Sequence, residues 1–278
     1  MFEYLCIFIF IFGLLIGSFL NTVIYRLKTG ESILFLRSHC PFCKHTLGFF
    51  DLIPIFSFVF LGGRCRYCKK KISWQYPLVE LATGILFVLF SYQIIELSSY
   101  AAIEQLSFWS IGSLVLQLFF VSILIVIFVY DLKHSIIPDK VVWLGITVFL
   151  IFNGLAVLVQ LLFVSKPGFI SSFLGGLLAA ALAGGFFLIL VLVSRQKWMG
   201  WGDVKLGILI GLILGWPNIL VALFLAFVSG ALVGGALVLA KKKTLKSQIP
   251  FGPFLSGSTI IAMLVGEKIL DWYLGLLG

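Results

Sequence analysis

Long apolar stretches separated by short polar ones set the pattern of this chain. A helix needs roughly 20 mostly apolar residues to cross a bilayer. Stretches near residues 4–25, 78–97, 107–130, 141–163, 169–194, 204–216, 218–240 and 254–270 approach or meet that requirement. The pattern predicts an all-α polytopic membrane protein with about eight transmembrane helices. Two segments depart from it: 78–97 carries Glu80 near its start, and 204–216 is short and separated from the next only by Trp216-Pro217-Asn218. One long polar excursion, residues 26–77, follows the first span and reads as a small cytoplasmic domain. The expected layout is therefore a first transmembrane helix at 1–25, that domain at 26–77, and a membrane helical bundle at 78–278 carrying the reactive site.

Composition agrees with this reading. The chain is 61% hydrophobic and 11% charged, with a mean hydropathy of +1.16, whereas a soluble domain is about a quarter charged. Met1-Phe2-Glu3-Tyr4 offers no basic stretch before the first apolar run, while Arg26 and Lys28 follow it. Such an order puts the N-terminus outside. Eight crossings from there put 26–77, 131–140, 195–203 and 241–250 in the cytoplasm. Lys205 counts with the third of these loops, and of the 20 Lys and Arg only Lys166 and Lys268 are then left outside. The net charge of +9 is thus assigned to topology and to anionic lipid, with no nucleic acid partner.

The polar excursion holds four of the five cysteines, as Cys40-Pro41-Phe42-Cys43 and Cys65-Arg66-Tyr67-Cys68. Two C-x-x-C knuckles can close a tetrahedral thiolate cage around zinc, and the neighbouring Lys and Arg offset its charge. Disulfides or a redox motif are the alternative, which a reducing cytoplasm disfavours. Four cysteine ligands leave no open position, so the expected zinc is structural. His39 and His45 could substitute as ligands, but with four thiols in place solvated histidines are expected. Between the knuckles, the apolar run 47–61, interrupted by Asp51 and Pro54, is expected against the membrane interface or on the bundle. Cys6, inside the first span, reads as an ordinary small core residue.

Ionisable groups in or at the rim of a membrane bundle are costly, which makes each a functional candidate. Asp131 closes the third segment and Asp203 closes the turn after the fifth, both at the cytoplasmic edge. Two carboxylates within reach of one another share a proton, so one can act as base on a water while the other donates to a substrate carbonyl. The alternative is that both simply mark helix ends. Asp131 suits that role poorly, because a negative charge opposes the dipole at a helix C-terminus; Asp203 could be a plain N-cap. Asp139 reads as a cap. Glu80 is a further buried acid or an interfacial carboxylate paired with a lysine. Gly200 and Gly202 would let the backbone approach an extended substrate; with Glu80, Lys133 and Lys205 they complete the candidate supporting residues.

Several motifs in order resemble the prepilin peptidases. These are Gly17-Ser18-Phe19-Leu20-Asn21 with the residues to Leu27, the cysteine knuckles, Tyr76-Pro77-Leu78-Val79-Glu80-Leu81, the stretch from Asp131 to Pro138-Asp139, Gly200-Trp201-Gly202-Asp203, and Pro250-Phe251-Gly252-Pro253. The run Gly200-Trp201-Gly202-Asp203 fits the G-x-G-D pattern of a clan of intramembrane aspartyl proteases. The resemblance implies that Asp131 and Asp203 are the catalytic pair of an aspartic endopeptidase in a bacterial inner membrane. Its substrates would be type IV prepilins or secretion pseudopilins, cut after a glycine just before their hydrophobic helix. Many members also methylate the new N-terminus with S-adenosylmethionine, for which no site is legible here. The loop around Val164-Ser165-Lys166-Pro167 makes the separation of the aspartates generous for the family. Rival readings are a proton-coupled transporter, which favours acids near the bilayer midplane, another G-x-G-D protease, which the cysteine domain argues against, and a non-catalytic pilus-assembly scaffold.

Overall fold

A computed structural model describes residues 2–33, 37–100, 108–163, 169–241 and 249–277. The expected external loop at Val164 to Pro167, with Lys166, lies outside the described residues, as does most of the expected 241–250 loop. Among the described residues the chain is helical, with no strand beyond two isolated bridges, His39 to Thr46 and Arg64 to Lys71. The α-helices are α1 (Phe2–Thr29), α2 (Phe56–Phe60), α3 (Gln75–Tyr100), α4 (Phe108–His134), α5 (Asp139–Phe163), α6 (Phe169–Ser194), α7 (Trp201–Leu214), α8 (Asn218–Leu239) and α9 (Gly252–Leu277). Seven of them, all but α2 and α7, contain stretches long and apolar enough to cross a membrane. Helices are the expected answer in lipid, where each backbone N–H and C=O must be satisfied within the segment.

The shortest of the eight expected segments is α7. Its 14 residues span about 21 Å at 1.5 Å per residue, short of a hydrocarbon core of about 30 Å. What it lacks in length it makes up in burial: Leu206, Leu209 and Ile210 are fully enclosed, because α5, α6, α8 and α9 all pack on α7. The first helix also continues to Thr29 rather than stopping near residue 25.

The chain forms two compact units, Met1–Val126 and Ile127–Gly278, whose boundary falls within α4. In the first, α1 and α3 run antiparallel with backbones in close approach. A Cβ on Gly17 would lie 2.7 Å from the Glu80 Cα, and one on Gly13 2.7 Å from the Gly84 Cα. Small residues at such seams let membrane helices gain dispersion contacts where no hydrophobic force drives association. Buried Asn21 joins the same helices, donating to the carbonyls of Gly17 and Tyr76 and accepting from Gln75 Nε2. Residues 49–60 present Phe49, Phe50, Phe56 and Phe60 as exposed rings.

The second unit is built around α7. Against α6 it runs antiparallel along a seam of Ala179, Ala180, Ala183, Gly207 and Gly211, and a Cβ on Gly211 would lie 2.5 Å from the Ala180 backbone. On the opposite side of α6, Leu174, Leu178 and Leu182 are exposed. This arrangement, small residues inward and leucines outward, is what a lipid-facing helix requires. Next, α8 returns antiparallel to α9, with Gly230 beside Phe251 and Gly266 beside Asn218. Phe187, Phe227 and Phe251 interlock α6, α8 and the start of α9.

Candidate active site

Asp131 sits one turn before the end of α4, which closes when Ser135, at φ 52°, donates its N–H to the Asp131 carbonyl at 2.7 Å. Its side chain is buried, 4% exposed, and accepts a hydrogen bond from the backbone N–H of Gly252, the first residue of α9. The charge that disfavours the C-terminus of α4 therefore rests on the positive N-terminal end of a different helix. That explains what the sequence left open, namely how an acid is tolerated at that position. The contact is so close that a Cβ on Gly252 would lie 2.5 Å from Asp131 Oδ2.

Asp203 lies in the first turn of α7, where its Oδ2 accepts the Gly200 N–H at 3.0 Å. It reaches back over the helix start as the third residue of the turn rather than preceding the helix as an N-cap. Each aspartate is thus held at the N-terminus of a helix, Asp131 by α9 and Asp203 by α7. The Asp203 charge is felt at the Asp131 carboxyl, which puts the two acids in one electrostatic neighbourhood. Two carboxylates that reach one another can hold one proton between them and polarise a water against a carbonyl.

The supporting candidates divide. Gly202 packs on the connection between α4 and α5, where a Cβ would lie 3.1 Å from the Ile137 Cβ. Gly200 is extended, at φ −98°, so its contribution is the N–H it gives to Asp203. Lys205 pairs with Asp139 at 2.7 Å, so Asp139, the first residue of α5, does more than begin a helix. Lys133 lies in the last turn of α4. Glu80 belongs to the first unit, where it accepts the Ile55 N–H at 2.7 Å and a hydrogen bond from the Ser18 side chain. It ties the loop before α2 to α3. The residue the sequence reading did not single out is Gly252. Its signal was the glycine set between Pro250 and Pro253, a proline-marked helix start.

The sulfurs of Cys40, Cys43, Cys65 and Cys68 all lie within 4.8 Å of one another, and Cys40 Sγ is 3.9 Å from Cys68 Sγ. A tetrahedron with metal–sulfur bonds of about 2.3 Å has edges of about 3.8 Å, so the cluster could hold a zinc ion. The two knuckles share one backbone form. Lys44 N–H donates to the Cys40 carbonyl and Lys69 N–H to the Cys65 carbonyl, at 2.9 and 3.0 Å, with both lysines near φ 58–59°. Burial opposes ionisation of Cys40, but N–H groups of Cys43 and Phe42 and the neighbouring thiols bring it down to about 7. The His45 backbone favours ionised Cys43, yet desolvation, hydrogen bonds to Cys40 and Cys68 and the Cys40 charge push it up to about 11. Neither histidine joins the thiols: His39 faces Glu31 and Tyr25, and His45 stacks on Tyr67 with ring centroids 3.6 Å apart.

Comparison with known proteins shows the family. The bacterial peptidase A24 N-terminal domain matches residues 11–94, and the type IV leader peptidase family matches residues 118–235. A prepilin leader peptidase/N-methyltransferase of Bacillus subtilis (strain 168) is 35% identical, over 96% of each chain. The chain belongs to the type IV leader peptidase family. Prepilin leader peptidase/N-methyltransferases of Aeromonas hydrophila and Legionella pneumophila are each 33% identical, over 96% and 95% of this chain and 92% and 93% of theirs. No solved structure matches this family member. Within the matched A24 regions lie all four cysteines, Glu80, Asp131 and Asp203; Gly252 falls beyond residue 235.

Proposed function

We propose that this membrane protein is an aspartic endopeptidase that removes the basic leader of type IV prepilins or pseudopilins, with Asp131 and Asp203 as its catalytic pair. The observation that supports the proposal is that Asp131 feels the charge of Asp203 while each carboxylate accepts a backbone N–H at the start of a helix. One carboxylate takes a proton from the attacking water. Its protonated partner donates to the scissile carbonyl as the tetrahedral centre forms, and protons return to the leaving amine on collapse. The N-methyltransferase activity in the relatives' names extends the proposal to methylation of the new N-terminus, with S-adenosylmethionine as donor.

The chain would lie in a bacterial inner membrane with its N-terminus outside and both the cysteine domain and the aspartates facing the cytoplasm. The excess of Lys and Arg in the loops on that side supports this orientation. A zinc ion held by Cys40, Cys43, Cys65 and Cys68 would be structural, since a four-thiolate set leaves no position for water. The layout 1–25, 26–77 and 78–278 follows, with the helical limits at Thr29 and Gln75 marking the ends of the cysteine domain more closely.

The test is mass spectrometry of a full-length pilin precursor incubated with the full-length protein in lipid, with and without S-adenosylmethionine. The wild type should release the leader and, with the methyl donor, leave a product heavier by one methyl group. Asp131→Asn and Asp203→Asn should each insert normally and leave the precursor intact. Leader release by the double variant at the wild-type rate would end the proposal.

A further inference from the structure

We infer that the ion pair between Lys205 and Asp139 positions the two aspartates, holding the first turn of α7 against the start of α5 so that Asp203 keeps its register with Asp131. The inference rests on the catalytic reading above. Lys205 Nζ lies 2.7 Å from Asp139 Oδ2, joining residues 66 positions apart. Each partner is close in sequence to one aspartate: Lys205 follows Asp203 by two residues near the start of α7, and Asp139 begins α5 just after the short connection from Asp131. The pair therefore closes a ring through α4's end, the Ser135–Pro138 connection, α5, and α7. Inside that ring the connection is seated by Ile137, which packs where Gly202 has no side chain. Gly200 N–H fixes the Asp203 carboxylate to its own helix, but nothing in that local bond sets the distance from α7 to α4. The packing of α5, α6 and α9 on α7 sets it coarsely, and Lys205–Asp139 and Gly202–Ile137 are contacts that refine it next to Asp203.

A purely stabilising role is a poor account of this pair. The Lys205 and Asp139 side chains are 31% and 56% exposed, and exposed ion pairs contribute little to folding. Position is another matter, since a displacement of about 1 Å at a reacting group can cost about 10²-fold in rate. With Ile137 still seated, loss of the ion pair alone should cost about ten-fold.

The experiment is steady-state cleavage of a full-length pilin precursor by the full-length protein in lipid nanodiscs. Asp139→Asn and Lys205→Met should each lower kcat about ten-fold with KM changed less than about two-fold, the signature of a lost transition-state alignment. Lys205→Arg should retain most of kcat, and the charge exchange Asp139→Lys with Lys205→Asp should recover activity well above either single variant. Full kcat in both single variants overturns the inference, and so does an exchange no better than the singles. For an exchanged protein that fails to insert, Lys205→Arg against Lys205→Met decides, equal loss in the two again overturning the pairing. Asp203→Asn is run alongside: cleavage by that variant defeats the catalytic reading, whereas a dead Asp203→Asn beside an unimpaired Asp139→Asn defeats the pairing alone.

Discussion

Replacing Gly252 by alanine adds one methyl group at the N-terminus of α9, against the carboxylate of Asp131. The new Cβ would stand 2.5 Å from Oδ2, 3.1 Å from Cγ and 3.4 Å from Cβ, whereas ordinary van der Waals contact begins at 3.4 Å. Relief therefore requires the carboxylate or the helix start to move by about 1 Å, and a packing change of this size costs about 1–3 kcal/mol when the surroundings resist. A backbone so placed, at the junction of α4 and α9, yields less easily than the Asp131 side chain, which would turn away from the Gly252 N–H and from Asp203. A misplacement of about 1 Å at the reacting group lowers the rate about 10²-fold, equal to about 2.7 kcal/mol in the barrier. The assay is leader release from a full-length precursor in lipid, read by mass, with thermal unfolding of the same preparations. Gly257→Ala serves as the control, because its Cβ would meet the Phe128 ring at 3.5 Å, an ordinary contact. Gly252→Ala should be about 10²-fold slow and Gly257→Ala close to wild type. Equal activity in the two proteins would refute the view that α9 seats Asp131.

Three further outcomes are expected. Cys40→Ser should lower bound zinc, measured by elemental analysis, and destabilise the cysteine domain; full zinc content would contradict the four-thiolate cage. Gly211→Ala, which in an isolated helix would gain roughly 1 kcal/mol, should instead lower the unfolding temperature in detergent, since its Cβ would stand 2.5 Å from the Ala180 backbone; a raised temperature would show that the α6–α7 seam is looser than described. Burial raises the Asp51 carboxyl, but the Arg66 guanidinium at 2.7 Å, the Gly48 N–H and the Tyr67 hydroxyl together hold it below the usual carboxylate value. A depressed folded pKa stabilises above the unfolded value of about 3.9 and is lost as pH falls through the lower, folded one. The protection of amides around residues 48–52 against exchange, taken relative to the unstructured rate at each pH, should therefore fall below about pH 4 in the wild type, and Asp51→Asn should be less protected already at neutral pH. The same acid profile in both proteins would remove Asp51 from the account.

Much of this protein was legible in its sequence because the relevant signals are local. A run of apolar residues long enough to cross lipid must be helical wherever its neighbours stand, and two cysteines in a C-x-x-C turn lie together by chain geometry alone. The knuckles, seven of the eight expected spans and the two rim aspartates follow from such short-range constraints. What the sequence could not carry were contacts set by which helix faces oppose one another. Whether 204–216 crosses depends on the space that α5, α6, α8 and α9 leave around α7. Glu80, an acid with no visible partner along the chain, finds the N–H of Ile55 only because the loop before α2 folds back on α3. Asp131, misplaced by its own helix dipole, is accommodated by the start of α9, more than a hundred residues onward. Periodicity and spacing determine elements and candidate groups; a carboxylate's surroundings come from backbone ends brought to it by packing, and only the tertiary structure decides those.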